Sequence, residues 1–174
     1  MLAIFDTVPM GPEDLPSPAD FDAFHPFLKG VFSQWHATAF DLEGFGFVTA
    51  EQWMMFAKAK LFEDETSADA IRATDDPSEQ KRLGASVASF EQDVWDQWKV
   101  EIVYRGSLAK FSQNAGARRQ LKSTAPAMLV EANPRDWIWG VGLSADNPAV
   151  NTYTDWKGEN LLGRILTKVR HDVA

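Results

Sequence analysis

"TAEQWMMFAKAKLF", residues 49–62, reads as a helix. Thr49 suits the N-cap, and most of the residues after it are apolar or good helix formers. At about 100° per residue, positions seven apart nearly eclipse. With Glu51 at zero, Lys58 lies about 20° away, and Met54, Met55, Leu61 and Phe62 fall within about 80° on either side. Two charges therefore run down the middle of an apolar stripe. A buried charge costs several kcal/mol unless it is paired or hydrogen-bonded, and seven residues is too far for the usual surface pair. Two explanations stand. Either a pocket opens between Glu51 and Lys58, or Trp53 and Phe56 mark the core face and the two charges sit on a solvated rim. In the second case Glu51 simply favours the helix dipole from the first turn.

Outward from this helix, the pattern predicts a mainly α chain with a minor β element (α+β) in a single compact domain. Residues 1–20 carry Pro9, Pro12, Pro16 and Pro18 among Glu13, Asp14 and Asp20, and read as an acidic arm or a loop-rich cap, with the domain spanning 21–174. "AFDLEGFGFV" (39–48) predicts a short hairpin turning at Glu43-Gly44. Helices are expected at 67–74, at 76–87 with Asp76 as N-cap and Pro77 at the first position, at 91–111 and at 116–123. In 91–111 the expected buried side is Val94, Trp98, Ile102 and Leu108, with Gly106 a weak point. Residues 127–132 and 137–143 read as short extended or loop segments. A closing helix at 158–170 carries Leu161, Leu162, Ile165, Leu166 and Val169 at core spacing.

Composition narrows the function classes. The chain has 174 residues, is 45% hydrophobic and holds seven tryptophans, which argues against disorder. No apolar run is long enough to cross a bilayer, and the N-terminus lacks the layout of a secretory signal. There are no cysteines, so disulfides, thiolate metal sites and a cysteine nucleophile are excluded, and a cytoplasmic location is expected. The net charge of -8 speaks against indiscriminate nucleic-acid binding. His25, His36 and His171 are scattered and show no metal-ligand spacing.

Several segments, in order, carry a resemblance: "FSQW" (32–35), "EQWMMFAKAK" (51–60), "KRLG" (81–84), "AKF" (109–111), "STAPAMLVE" (123–131), "RDWIWGVGL" (135–143) and "GENLLGRIL" (158–166). Together they resemble the NADAR, or YbiA-like, family over roughly residues 30–172. The resemblance implies an N-glycosidase that hydrolyses the C–N bond between ribose and a base or amine. Family substrates include phosphorylated riboflavin-pathway intermediates and ADP-ribosylated guanine. The family's glutamate and lysine match Glu51 and Lys58, its tryptophan Trp95, and its acid before "WG" Asp136. The chain also departs from the pattern, with Gln34 for an asparagine, Gln52 and Met55 for a histidine and a glutamine, and Ala85 for an arginine.

The chemistry suggests roles. Glu51 is the expected general acid/base. Lys58, if desolvated, would attack the sugar carbon and form a Schiff base with the opened ribose. Asp136 would bind a ribose hydroxyl or stabilise positive charge on the sugar. Trp95 and Trp139 would stack on the base, or simply pack in the core. Gln34, Arg82 and Asn160 are further substrate-binding candidates, and Lys110, Arg164 and Arg170 are candidate phosphate contacts or solvated charges. The start of the closing helix would offer backbone N–H groups to a phosphate, or would be no more than a capped helix. No cofactor is required. The expected partner is a small phosphorylated ribosyl substrate, with ADP-ribosylated guanine in single-stranded DNA as a second option and no membrane partner. Two other classes remain: a non-catalytic ADP-ribose or nucleotide-binding module, and a protein-interaction domain.

Overall fold

A computed structural model describes residues 1–174. The opening helix is α1, Ala50–Leu61. Its Thr49 cap accepts the Gln52 N–H at 3.0 Å, which satisfies a backbone donor the helix itself leaves orphaned. The pocket reading holds and the solvated rim does not, although Trp53 and Phe56 do mark a core face. Trp53 and Phe56 are core residues, 0% and 2% exposed, yet Glu51 is also buried. The helix is buried on most of its faces, and the stripe of Glu51, Met54, Met55 and Lys58 lines a cavity.

Around α1 pack α2 (Glu65–Arg72), α3 (Pro77–Ala85) and the long α4 (Gln92–Gln113). Asp64 and Asp76 cap α2 and α3, accepting from Ser67 and Ser78 N–H. Trp53 crosses to α4, where its indole N–H donates to the Ile102 carbonyl at 2.8 Å. Gly106 is not a weakness in α4: a Cβ there would strike the Trp53 ring, so glycine permits the close crossing. Because α4 is also covered by α5 (Ala115–Lys122) and α6 (Leu161–Asp172), its buried set is wider than one stripe predicts. Ile102 is fully buried as expected, but Val94, Trp98 and Leu108 are only partly so, while Val100, Val103 and Phe111 are inside.

The β element is minor, as expected. β2 (Phe40–Leu42) and β3 (Phe45–Phe47) form the antiparallel hairpin, with Glu43 and Gly44 at positive φ in the turn. The sequence did not reveal β1 (Phe24–Phe27), which pairs in parallel with β4 (Met128–Glu131). β4 is wholly buried although it has one strand neighbour. Side chains around the start of α6 replace the second neighbour. Leu129 N–H donates to Thr167 Oγ1, Glu131 N–H donates to Asn160 Oδ1, and Asn160 Nδ2 donates to the Leu129 carbonyl. All buried backbone groups must find partners, and here Asn160, in the left-handed conformation, supplies two of them.

Residues 1–20 fold as three short 3-10 turns. Leu2, Ile4 and Leu15 join the main core, and Arg164 of α6 donates to the carbonyls of Pro12, Leu15 and Pro16. Of the two sequence alternatives for this segment, its packing is that of a cap.

Candidate active site

One cavity of about 680 Å³ lies between α1, α3, the 28–36 loop, the end of β4 and the loop after that strand. Glu51, Lys58, Asp136, Trp95, Trp139 and Gln34 all line it. The 28–36 loop is pinned to α1 by the Glu51 N–H, which donates to the Gln34 carbonyl at 3.0 Å. It is pinned to α4 by Lys110, whose Nζ donates to the Ser33 carbonyl at 3.0 Å.

Lys58 makes no ion pair. Its Nζ donates to the Gly84 carbonyl at 2.8 Å and sits 4.3 Å from the Phe90 ring centroid and 5.5 Å from that of Trp95. Burial lowers its pKa, because desolvation disfavours the ammonium. Burial also pushes the Glu51 carboxyl up to about 7; Lys81 and then the Trp35 indole pull it back, and Asp136 pushes it further up. Asp136 is fixed by its own loop, its Oδ1 accepting from the Ile138 and Trp139 N–H groups at 2.9 and 2.8 Å.

Two proposed binding residues stand elsewhere. Arg82 does not line the cavity; it forms an exposed ion pair with Glu79 one turn back. Asn160 is fully buried and spends its side chain on β4. The start of α6 is likewise engaged, since the N–H groups of Asn160, Leu161 and Leu162 donate to the carbonyls of Gly140, Ile138 and Trp139. Those N–H groups are not free for a phosphate: backbone carbonyls of the preceding loop satisfy them, and Asn160 adds no side-chain cap. Arg164 and Arg170 bind backbone and Thr124, and Lys110 is sealed in the interior. The cations that line the cavity are Lys29, Lys58 and Lys81.

The departures from the family pattern also separate. Gln34, Met55 and Ala85 line the cavity. Gln52 does not: its amide accepts from Val48 N–H and donates to the Ile71 and Thr74 carbonyls, tying α1 to the end of α2. Sequence reasoning missed Glu131, which lines the cavity, and the flanking Trp35 and Lys81. For Glu131 a signal existed, since it closes the "STAPAMLVE" segment.

The NADAR domain model matches residues 23–174. The chain belongs to the NADAR family. Among similar proteins, the N-glycosidase R617 of Acanthamoeba polyphaga mimivirus is 40% identical over 147 residues, 82% of this chain and 86% of that one. N-glycosidase YbiA of Escherichia coli strain K12 is 30% identical over 145 residues, 83% of this chain and 82% of its own. The NMR structure of E. coli YbiA matches with a TM-score of 0.71 at 29% identity, covering 87% of this chain and 85% of that chain. The riboflavin biosynthesis protein PYRR, chloroplastic, of Zea mays is 32% identical over 107 residues, 59% of this chain and 15% of the maize protein. With its relatives, this NADAR protein is a hydrolase acting on N-glycosyl bonds.

Proposed function

We propose that this N-glycosidase splits the bond between ribose and a base or amine on a small phosphorylated ribosyl substrate in the cytoplasm. The observation that carries this reading is Lys58, a desolvated amine with no counter-ion, in one cavity with Glu51. Burial shifts Lys58 away from its ammonium form, and the free amine is a nucleophile. Its Nζ bonds to C1′ of the ribose, and the C1′–N bond breaks with its electron pair on the leaving nitrogen. Ring opening gives an imine, and water releases the sugar. Glu51 acts as general acid/base, and Asp136 engages a ribose hydroxyl. Trp95 and Trp139 give the base apolar walls, and Lys29 and Lys81 are the cations within reach of a phosphate.

A phosphorylated ribosylamino-pyrimidine of the riboflavin pathway suits the size of the cavity, and the maize relative's name supports it. A second reading, ADP-ribosylated guanine, is favoured by the half-exposed Trp35 and by the exposed Trp137 beside Asp136, which would stack on an additional base. The test is a release assay by mass spectrometry with ribosylamino-pyrimidine phosphates, ADP-ribosylated guanosine and ADP-ribosylated single-stranded DNA, with Lys58→Ala alongside. Release by the wild type and none by the variant is expected. Binding without release from any substrate would move the chain to the non-catalytic binding module.

A further inference from the structure

Glu131 is a carboxyl to which the proposed reaction gives no part. It sits at the end of β4, is 9% exposed and lines the cavity. Its Oε2 is sealed from solvent and has no hydrogen-bond partner. Its backbone is held on both sides: the N–H donates to Asn160 Oδ1 at 2.9 Å, and the carbonyl accepts from Val141 and Asn133 N–H at 3.0 Å. A carboxylate oxygen buried with no donor costs several kcal/mol, and a neutral acid far less. A rigid buried strand that carries an unsatisfied acid into a reaction cavity is unexpected in a purely structural position.

The charged or titratable side chains that share the cavity are Lys29, His36, Glu51, Lys58, Lys81 and Asp136. Their effects on the two glutamates differ. Lys81 draws Glu51 toward its ionised form. Glu131 has no such help. Burial, then Asp136, then Glu51 all push its carboxyl up, to about 8. Two neighbouring carboxyls that interact share their titration, and the proton rests on the one with the poorer support for charge. Burial raises both, but Glu51 has Lys81 and the Trp35 indole to support its charge while Glu131 Oε2 has no donor, so Glu131 is the better placed to hold the proton.

We propose that Glu131 is the general acid of this site, handing its proton to the nitrogen that leaves the ribose, while Glu51 serves as the base. This rests on the N-glycosidase reading. As the C1′–N bond breaks, the leaving nitrogen takes the Glu131 proton. The Lys58 nitrogen, now bonded to C1′, loses a proton to the Glu51 carboxylate. Water then frees the sugar from Lys58, and one proton passes from Glu51 back to Glu131. Asn160 is a positioning residue in this scheme, since it fixes the backbone that carries the acid.

The test uses Glu131→Gln, close in shape but without an acidic proton, on two ribose phosphates. One carries an aminopyrimidine, whose nitrogen must be protonated to leave. The other carries nitropyrazole, which leaves as an anion. Loss of about 100- to 10,000-fold in kcat is expected on the first, with a much smaller loss on the second and loss of the alkaline limb of the pH profile. Equal losses on both substrates, or a change of only a few-fold with the limb retained, would overturn the assignment while Lys58→Ala still reports on the N-glycosidase reading. A second measurement needs neither substrate nor variant: a carbon NMR titration of the Glu131 carboxyl in the wild-type protein. Titration well above the ordinary carboxylate range supports the proposal, and titration within that range overturns it even in an active enzyme.

Discussion

Lys81 is an exposed residue of the cavity lining, yet it partly offsets the burial that raises the Glu51 carboxyl. Its positive charge favours the Glu51 carboxylate. Lys81→Met removes that support, so the Glu51 pKa rises, and the acid limb of kcat/KM, which reports ionisation of the base, should move to higher pH by about half a unit or more. A pH profile checks this, and a limb that stays put would separate Glu51 from the base role. Lys58→Arg should be as inactive as Lys58→Ala, because a guanidinium remains charged and is no nucleophile; single-turnover release measures it. At this scale the sequence was legible where a helix imposed order. Seven-residue spacing placed Glu51 and Lys58 on one line, and the structure places both on one cavity. Glu131 closes the "STAPAMLVE" segment, but nothing in that local pattern shows its burial or its place in the cavity. It is buried because β1 lies beside it and α6 seals its other edge.

At the scale of elements, β4 depends on a substitute strand. Asn160→Ala would leave the Glu131 N–H and the Leu129 carbonyl without partners in the interior. At about 1–3 kcal/mol for each of the two orphaned groups, urea unfolding should show a loss of roughly 2–6 kcal/mol. Asn160 was read as a substrate ligand from its place in "GENLLG", and the structure gives it a framework role instead. The reason lies in distance: β4 is some thirty residues earlier, so no local pattern shows what the amide bridges. The same distance hid β1. Four residues with His25 and Pro26 in the middle look unlike a strand, and a parallel partner 104 residues on, in the Phe24–Met128 register, leaves no hairpin signal. Elements with local punctuation were legible instead: the Glu43-Gly44 turn, the Thr49 and Asp76 caps, and the apolar spacing of α6.

For the whole molecule, buried ionisable groups predict an unusual dependence of stability on pH. Glu51 and Glu131 keep their protons in the folded state to about 7 and 8 but lose them near 4.5 when unfolded. Between these values the folded state binds more protons, so stability falls as pH rises from about 4.5 to about 8. Lys110 acts in the opposite sense. Burial lowers its ammonium to about 7 from 10.5, so above about 7 the unfolded state binds more protons and stability rises again. Thermal melts should therefore show a minimum near neutral pH. Glu131→Gln should flatten the acid side of that minimum and Lys110→Met the alkaline side; a melting temperature constant from pH 5 to 9 would remove the basis for both buried charges. Lys110 serves the framework through Ser33, whereas Glu51 and Glu131 are kept buried on the cavity that holds Lys58, as the proposed catalysis requires. The most direct measurement of that claim is borohydride reduction during turnover of a ribosylamino-pyrimidine phosphate, with peptide mass spectrometry of the product. A reduced ribosyl phosphate on Lys58, absent without substrate, is the predicted result; an enzyme that turns over the substrate and never yields that adduct would contradict it.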